Sequence, residues 1–188
     1  MKNIIVCGDC GERLLTKAVF AACRNHGGAL LLEGSRITQT VPDAKFLIVC
    51  VNTLTEVDCR AVLVMGEALC QIPPVLKLNG VTAVSDSGNI DALKILGRTG
   101  APVLGCSASD RDTLTLSCKS GRNIIFSLQR PINTLSGRLI EPCEIKIHCD
   151  EGQTLYPALA ACCTMLLCDI PHEQEYDIST GYIYSNSR

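Results

Sequence analysis

Short apolar runs alternate with segments of helical periodicity through the first hundred residues. Residues 4–7 are continuously apolar and predict a strand. Leu14, Leu15, Ala18, Val19 and Ala22 then fall on one face of a helix that Gly27-Gly28 stops. Residues 29–32 and 45–51 repeat the first pattern, and runs without polar interruption suit strands buried on both faces of a parallel sheet. The spacing predicts a helix over 56–70, ended before Pro73-Pro74 because tandem prolines cannot continue it. Residues 81–85 predict a strand, Asp86 or Ser87 the cap of a helix running to Leu96, and residues 102–106 a further strand.

After Cys106 the period becomes two. Thr113, Thr115 and Ser117 alternate with Leu114, Leu116 and Cys118, residues 119–122 turn the chain, and 123–129 return it, which is a hairpin pattern. Glu144, Lys146 and His148 alternate with Ile145, Ile147 and Cys149, describing a strand with one wet face. Residues 155–167 are apolar almost all round and predict a helix within the core. The tail, 169–188, is polar and carries no assignable pattern. No repeat or linker divides the chain, so residues 1–188 read as one α/β domain: a mostly parallel sheet flanked by helices, with a late antiparallel extension.

Composition narrows the function classes. A net charge of −2 over 188 residues, with no local cluster of Lys and Arg, gives no field for attracting nucleic acid. The apolar runs are too short or too interrupted to cross a bilayer, and Met1-Lys2-Asn3 leads into a strand rather than a signal peptide, so the expectation is no membrane and a cytoplasmic location. Thirteen cysteines exceed ordinary usage. Their odd number and their places inside apolar runs, such as Cys50, Cys106 and Cys162-Cys163, argue for free thiols serving as small hydrophobes. Cys7-Gly8-Asp9-Cys10 is the only Cys-x-x-Cys, and the second pair that a zinc site needs is missing.

The first strand runs through two glycines into the first helix, which is the geometry of a phosphate loop: the first N–H groups of the helix lack intrahelical partners and point at the loop. Gly8, Asp9, Cys10, Gly11, Glu12 and Arg13 are therefore the candidate binding residues. A Walker loop adds a lysine for phosphate and a hydroxyl for magnesium. Here Glu12 and Arg13 follow the second glycine, and Asp9 places another carboxylate in the turn.

The order of these pieces resembles the Mur ligases of peptidoglycan synthesis and their folylpolyglutamate synthetase relatives, specifically their central ATP-binding domain, over residues 3–168. Ile5-Val6-Cys7-Gly8-Asp9-Cys10-Gly11-Glu12-Arg13-Leu14-Leu15-Thr16 looks like the family's strand, Thr-Gly-Thr-Asn-Gly-Lys-Thr-Thr turn and helix. Ala29-Leu30-Leu31-Leu32-Glu33-Gly34-Ser35 is similar to its second strand, Val84-Ser85-Asp86-Ser87 to its Asn-Ala-Asp-Asp segment, and Gly105-Cys106-Ser107 to the strand end before its antiparallel strands. Gly152-Gln153-Thr154-Leu155-Tyr156-Pro157-Ala158-Leu159-Ala160-Ala161 resembles the start of its last helix.

The resemblance implies a fold and an ancestral ATP·Mg site, and the departures fall on that site. Glu12 and Arg13 stand in the loop, Cys50-Val51-Asn52 stands where the resemblance implies a magnesium-binding glutamate, and Gln153-Thr154 replaces a His-Asn pair. The reading is a domain that has lost the catalytic lysine and magnesium ligands and serves as a non-catalytic binding or interaction protein for a small molecule or protein partner, with ATP and magnesium disfavoured and no catalytic residue or metal ligand assigned. The alternatives are an ATP-dependent carboxylate–amine ligase, minimal or assisted by a partner, with Arg13 on phosphate, and a redox or metal protein built on Cys7 and Cys10.

Other residues have plainer readings. Asp110-Arg111-Asp112 lies beyond a strand end, where open parallel sheets bind ligands, but a solvated turn is its favoured reading. His148 beside Glu144 and Lys146 suits an exposed strand face, His26 suits a helix C-terminus, and His172 lies in the tail. A domain resembling the middle of a larger enzyme is expected to cover an apolar surface, either with tail residues Tyr176, Ile178, Tyr182, Ile183 and Tyr184 or with a second copy in a homodimer.

Overall fold

A computed structural model describes residues 1–8, 13–66 and 76–180. Among the described residues, eleven strands form one sheet. Its centre is parallel, in the order β2 (Ala29–Glu33), β4 (Phe46–Val51), β1 (Lys2–Cys7), β5 (Glu56–Met65), β6 (Lys77–Asp86), β7 (Val103–Ser107) and β8 (Leu114–Ser120). β3 (Arg36–Gln39) pairs antiparallel with β2 at one edge. Towards the other edge β9 (Asn123–Leu128) runs antiparallel to β8, β12 (Glu144–His148) antiparallel to β9, and β13 (Tyr176–Asp177) parallel to β12. A separate ribbon joins β10 (Ile132–Asn133) to β11 (Leu139–Ile140). The mostly parallel sheet and the late antiparallel strands are those expected from the sequence.

Alternate residues of the central strands divide between two cores. Ile4, Val6, Ile48, Val62, Val64, Val84 and Leu104 pack with α1 (Leu14–Asn25) and α3 (Leu155–Leu167). Cys7, Leu63, Met65 and Ala83 pack on the opposite face with Ala92 and Leu96 of α2 (Ile90–Leu96). Every residue of α3 after Leu155 is buried, which explains its lack of a polar face. It packs against α1 and against β5, β6, β7 and β8, and small side chains such as Ala158, Ala160 and Ala161 let the backbones approach.

Three expectations need correction. Residues 56–65 of the expected helix 56–70 form β5, and 67–70 lie outside the described residues. Its run Ala61-Val62-Leu63-Val64-Met65 is fully buried between β1 and β6, where only a strand can satisfy both neighbours' ladders. The helix expected to be capped by Asp86 or Ser87 starts later: Asn89 is the cap, its side chain accepting from the Ala92 N–H at 3.0 Å, while Asp86 still belongs to β6. Cys118, expected to share a face with Leu114 and Leu116, is exposed, because a register shift between Leu116 and Cys118 flips the alternation.

The β5 correction has a structural companion. Only residues 52–55 separate β4 from β5, and four residues reach at most ~14 Å, less than the ~20 Å length of a six-residue strand. The chain returns because the first parts of β5 and β6 bend away from the sheet together. Glu56–Asp58 pair with Lys77–Asn79, and the register shifts between Asp58 and Ala61. Gly80 at φ +72° makes the corner opposite Cys59. The bent pair places Val57, Leu76 and Leu78 in the α2-side core, covering a face that a crossover helix covers in most parallel sheets.

Candidate functional site

The carboxyl ends of the parallel strands meet at one edge, the place where open α/β sheets bind ligands. Gly8, the first candidate loop residue, ends β1 there. It has φ +81°, a conformation glycine adopts without a Cβ penalty, and its N–H donates to the Val51 carbonyl at 3.0 Å. On the other side of β1 the Gly66 N–H donates to the Cys7 carbonyl at 2.7 Å. The loop entrance is thus pinned between the ends of β4 and β5. Asp9, Cys10, Gly11 and Glu12 lie outside the described residues.

Arg13 is described, and its geometry is informative. It stands at the N-cap of α1 with φ +55° and ψ +38°, a left-handed conformation uncommon for a residue with a Cβ. Its guanidinium forms an ion pair with Glu33 at the end of β2, whose side chain is 19% exposed. Together with Val6, Thr16, Gly34, Cys50, Val51 and Asn52 the pair lines a cleft of about 280 Å³. Thr16 Oγ1 and Cys50 Sγ lie 3.6 Å apart within it. Arg13 is the only cation lining this cleft among the described residues, and a carboxylate engages it.

A second polar group occupies the same edge further along. Asp112 accepts from Ser87 at 2.5 Å and also from Ser107, tying the ends of β6 and β7 to the turn before β8. Gly105 lies under this group: a Cβ there would sit 2.6 Å from Ser87 Oγ. Asn89 donates to the Gly66 carbonyl at 3.1 Å, and the Tyr156 hydroxyl, from the first turn of α3, donates to the Met65 carbonyl at 2.5 Å. Asp112 is therefore a structural tie, whereas Asp110 and Arg111 are exposed.

The remaining candidates do not converge. His148 Nδ1 pairs with Asn123 Oδ1 at 3.0 Å, Glu144 accepts from Ser117 at 3.3 Å, and Lys146 points from the same exposed face, so each occupies its own place on the antiparallel sheet. Cys7 is wholly buried. No group of three His, Cys, Asp or Glu side chains able to hold a metal ion occurs among the described residues, and none of their helices is long and apolar enough to cross a membrane. Tyr176 and Ile178, two of the tail residues expected to cover apolar surface, are fully buried; Tyr182, Ile183 and Tyr184 lie outside the described residues.

Sequence reasoning missed Glu33, Gly66 and the Asp112 tie. Glu33 was visible only as a strand end, because its meeting with Arg13 depends on β4 standing between β1 and β2. Gly66 was hidden inside the expected helix.

No family model and no curated protein matches this sequence. Solved structures do. The MurF ligase from Thermotoga maritima, in complex with ADP, superposes over 91% of this chain and 46% of its own, with a TM-score of 0.55 and 13% identity. The chain has the Mur ligase fold. MurF from Acinetobacter baumannii matches over 92% of this chain and 44% of its own, at a TM-score of 0.53 and 8% identity. The UDP-N-acetylmuramate:L-alanyl-gamma-D-glutamyl-meso-diaminopimelate ligase from Neisseria meningitides matches over 99% and 67%, at 0.52 and 12%. This Mur-ligase-like chain spans less than half the length of the MurF enzymes it matches.

Proposed function

We propose that this chain is a Mur-ligase-like domain of the central ATP-binding type that no longer performs ligation, and that it works as a non-catalytic binding or interaction module in the cytoplasm. The observation that carries this reading is the Arg13–Glu33 ion pair. An ATP-dependent ligase needs a lysine, a hydroxyl and a magnesium-clamped polyphosphate at this loop. Here the cation of the cleft is engaged by a carboxylate, and two more carboxylates, Asp9 and Glu12, occur in the turn itself. All three oppose the anion that the α1 N-terminus would otherwise attract. Arg13, which stands at the family's hydroxyl position, lies outside the helix in a left-handed conformation.

One observation favours the second reading, a partner-assisted ATP-dependent ligase. The Gly66–Cys7 hydrogen bond brings the end of β5 to the loop entrance, and Glu67, next in the sequence and outside the described residues, is the carboxylate that this reading would assign to magnesium. A Glu12→Lys variant tests the loop itself. It restores the charge of a Walker lysine, and one charge-assisted hydrogen bond of about 1.5–3 kcal/mol corresponds to roughly 10- to 150-fold tighter Mg·ATP binding. Displacement of a fluorescent nucleotide measures the gain. Unchanged binding would show that the turn is not a dormant phosphate cradle and would remove the ancestral-site part of the proposal.

A further inference from the structure

Residues 176–180, from the polar tail in which no pattern was assignable, are fastened along one edge of the sheet. Tyr176 pairs with Ile147 and Asp177 with His148 in β12, and the Ile178 N–H donates to the His148 carbonyl at 2.8 Å. The last turn of α1 supplies the rest of the grip. Arg24 donates to the carbonyls of Thr180 and Ser179, both at 3.2 Å, and Asn25 donates to the Asp177 carbonyl at 3.1 Å. His26 Nε2 accepts from the Asp177 N–H at 3.0 Å, and its ring meets the Tyr176 ring edge-on at 5.4 Å. Asp150, after β12, accepts from the Thr180 N–H and hydroxyl at 2.7 and 2.5 Å.

A ring nitrogen that accepts from a backbone N–H carries no proton, so His26 is neutral with its hydrogen on Nδ1. We propose that His26 makes residues 176–180 a pH-sensitive clasp: when the imidazole takes a second proton, its acceptor becomes a donor facing the Asp177 N–H, and the segment loosens from α1. Burial holds the His26 pKa below its ordinary 6.5, with the Asp177 carboxylate working the other way. That carboxylate is already engaged by the Ser179 N–H and hydroxyl at 2.9 and 2.5 Å.

The neighbouring charges are Arg24 on α1, Asp177 on β13, Asp150 after β12, and Lys45 before β4, whose side chain lies against Gly27. His148 on β12 is the nearest other imidazole in the pairing register. Cys23 and Cys168, beneath the helix, stay uncharged because burial holds both thiols above their ordinary 9.0. At Asp150, burial pushes the carboxyl up, but the Thr180 and Arg122 hydrogen bonds outweigh it and hold the group below its ordinary 3.8. Asp150 therefore keeps its charge in the pH range where histidine titrates.

The sign follows from proton binding. The free segment leaves His26 with its ordinary affinity and the docked segment lowers it, so the free state binds more protons between the two values. Docking is fully favoured above about 6.5 and weakens as pH falls through that window.

Hydrogen exchange of the full chain, followed by mass spectrometry on the peptide covering 171–180 and corrected for intrinsic rates, tests the clasp. Protection is expected to fall, by up to about tenfold, between pH of about 7.5 and about 5.5. His26→Gln, whose amide oxygen accepts at either pH, should stay protected throughout, and His148→Gln should respond as wild type does. Wild-type protection that does not change, or a His26→Gln variant that loses it as steeply, would overturn the proposal. Should glutamine leave the segment unprotected even near pH 7.5, the wild-type ring decides: its NMR titration midpoint must coincide with the loss of protection, and a midpoint elsewhere overturns the clasp.

Discussion

Replacing Tyr176 with alanine is expected to destabilise the protein by about 3–5 kcal/mol, the usual cost of deleting a buried aromatic ring, and to lower the unfolding midpoint by about 6–20 °C at this chain length. The residue lies in a two-residue strand near the sheet edge, where a small effect would be the ordinary expectation. Yet its side chain has no solvent exposure, and it belongs to the same core as α1 and α3. Its hydroxyl donates to the Ile170 carbonyl at 2.8 Å, so truncation leaves a cavity and an acceptor without its partner. Thermal and denaturant unfolding measure the loss. A change below about 1 kcal/mol, the range of surface substitutions, would mean that the segment is not part of the core.

The thiols should divide into fast and nearly inert classes. Denatured protein prepared without oxidant should titrate all thirteen cysteines. In the folded protein Cys59 and Cys118 are exposed, whereas Cys7, Cys23, Cys106, Cys149, Cys162, Cys163 and Cys168 are buried. Burial also raises the pKa: the Cys168 thiol is pushed up to about 12 from 9.0, which leaves roughly a thousandfold less thiolate, the reactive form, at a given pH. At Cys106 the Cys163 hydrogen bond, across 3.3 Å between the sulfurs, acts in the same direction as burial. Reaction of native protein with a disulfide reagent should show a rapid phase containing Cys59 and Cys118 and a slow phase for the buried thiols limited by unfolding. Rapid labelling of Cys106 or Cys168, located by peptide mapping, would contradict this packing and favour a redox role.

The parts of the fold that were legible in the sequence are those decided by local pattern. β1, β2 and β4 read as unbroken apolar runs because none of their residues is fully exposed on either face, and α3 read as an all-apolar helix because it is enclosed. β5 did not, because Ala61, Leu63 and Met65 are as compatible with a helix as with a strand and Pro73-Pro74 supplied a convincing stop. Its neighbours β1 and β6 decide the matter, and no local window contains them. β3 and β13 are short strands defined by pairing rather than by composition. In the site, the φ of Gly8 was legible from the turn itself. The engagement of Arg13 by Glu33 was not, since it depends on sheet order, and the same holds for His26, whose acceptor role is created by a segment about 150 residues away.

The central claim is that the loop between β1 and α1 no longer serves ATP chemistry, and isothermal titration of wild-type protein with Mg·ATP at physiological salt tests it most directly. The Arg13–Glu33 pair and the loop carboxylates predict no saturable heat at nucleotide concentrations up to about 1 mM, equivalent to binding weaker than about −4 kcal/mol. A dissociation constant of about 1 μM, near −8 kcal/mol, would contradict the non-catalytic reading and make this chain a nucleotide-binding ligase domain.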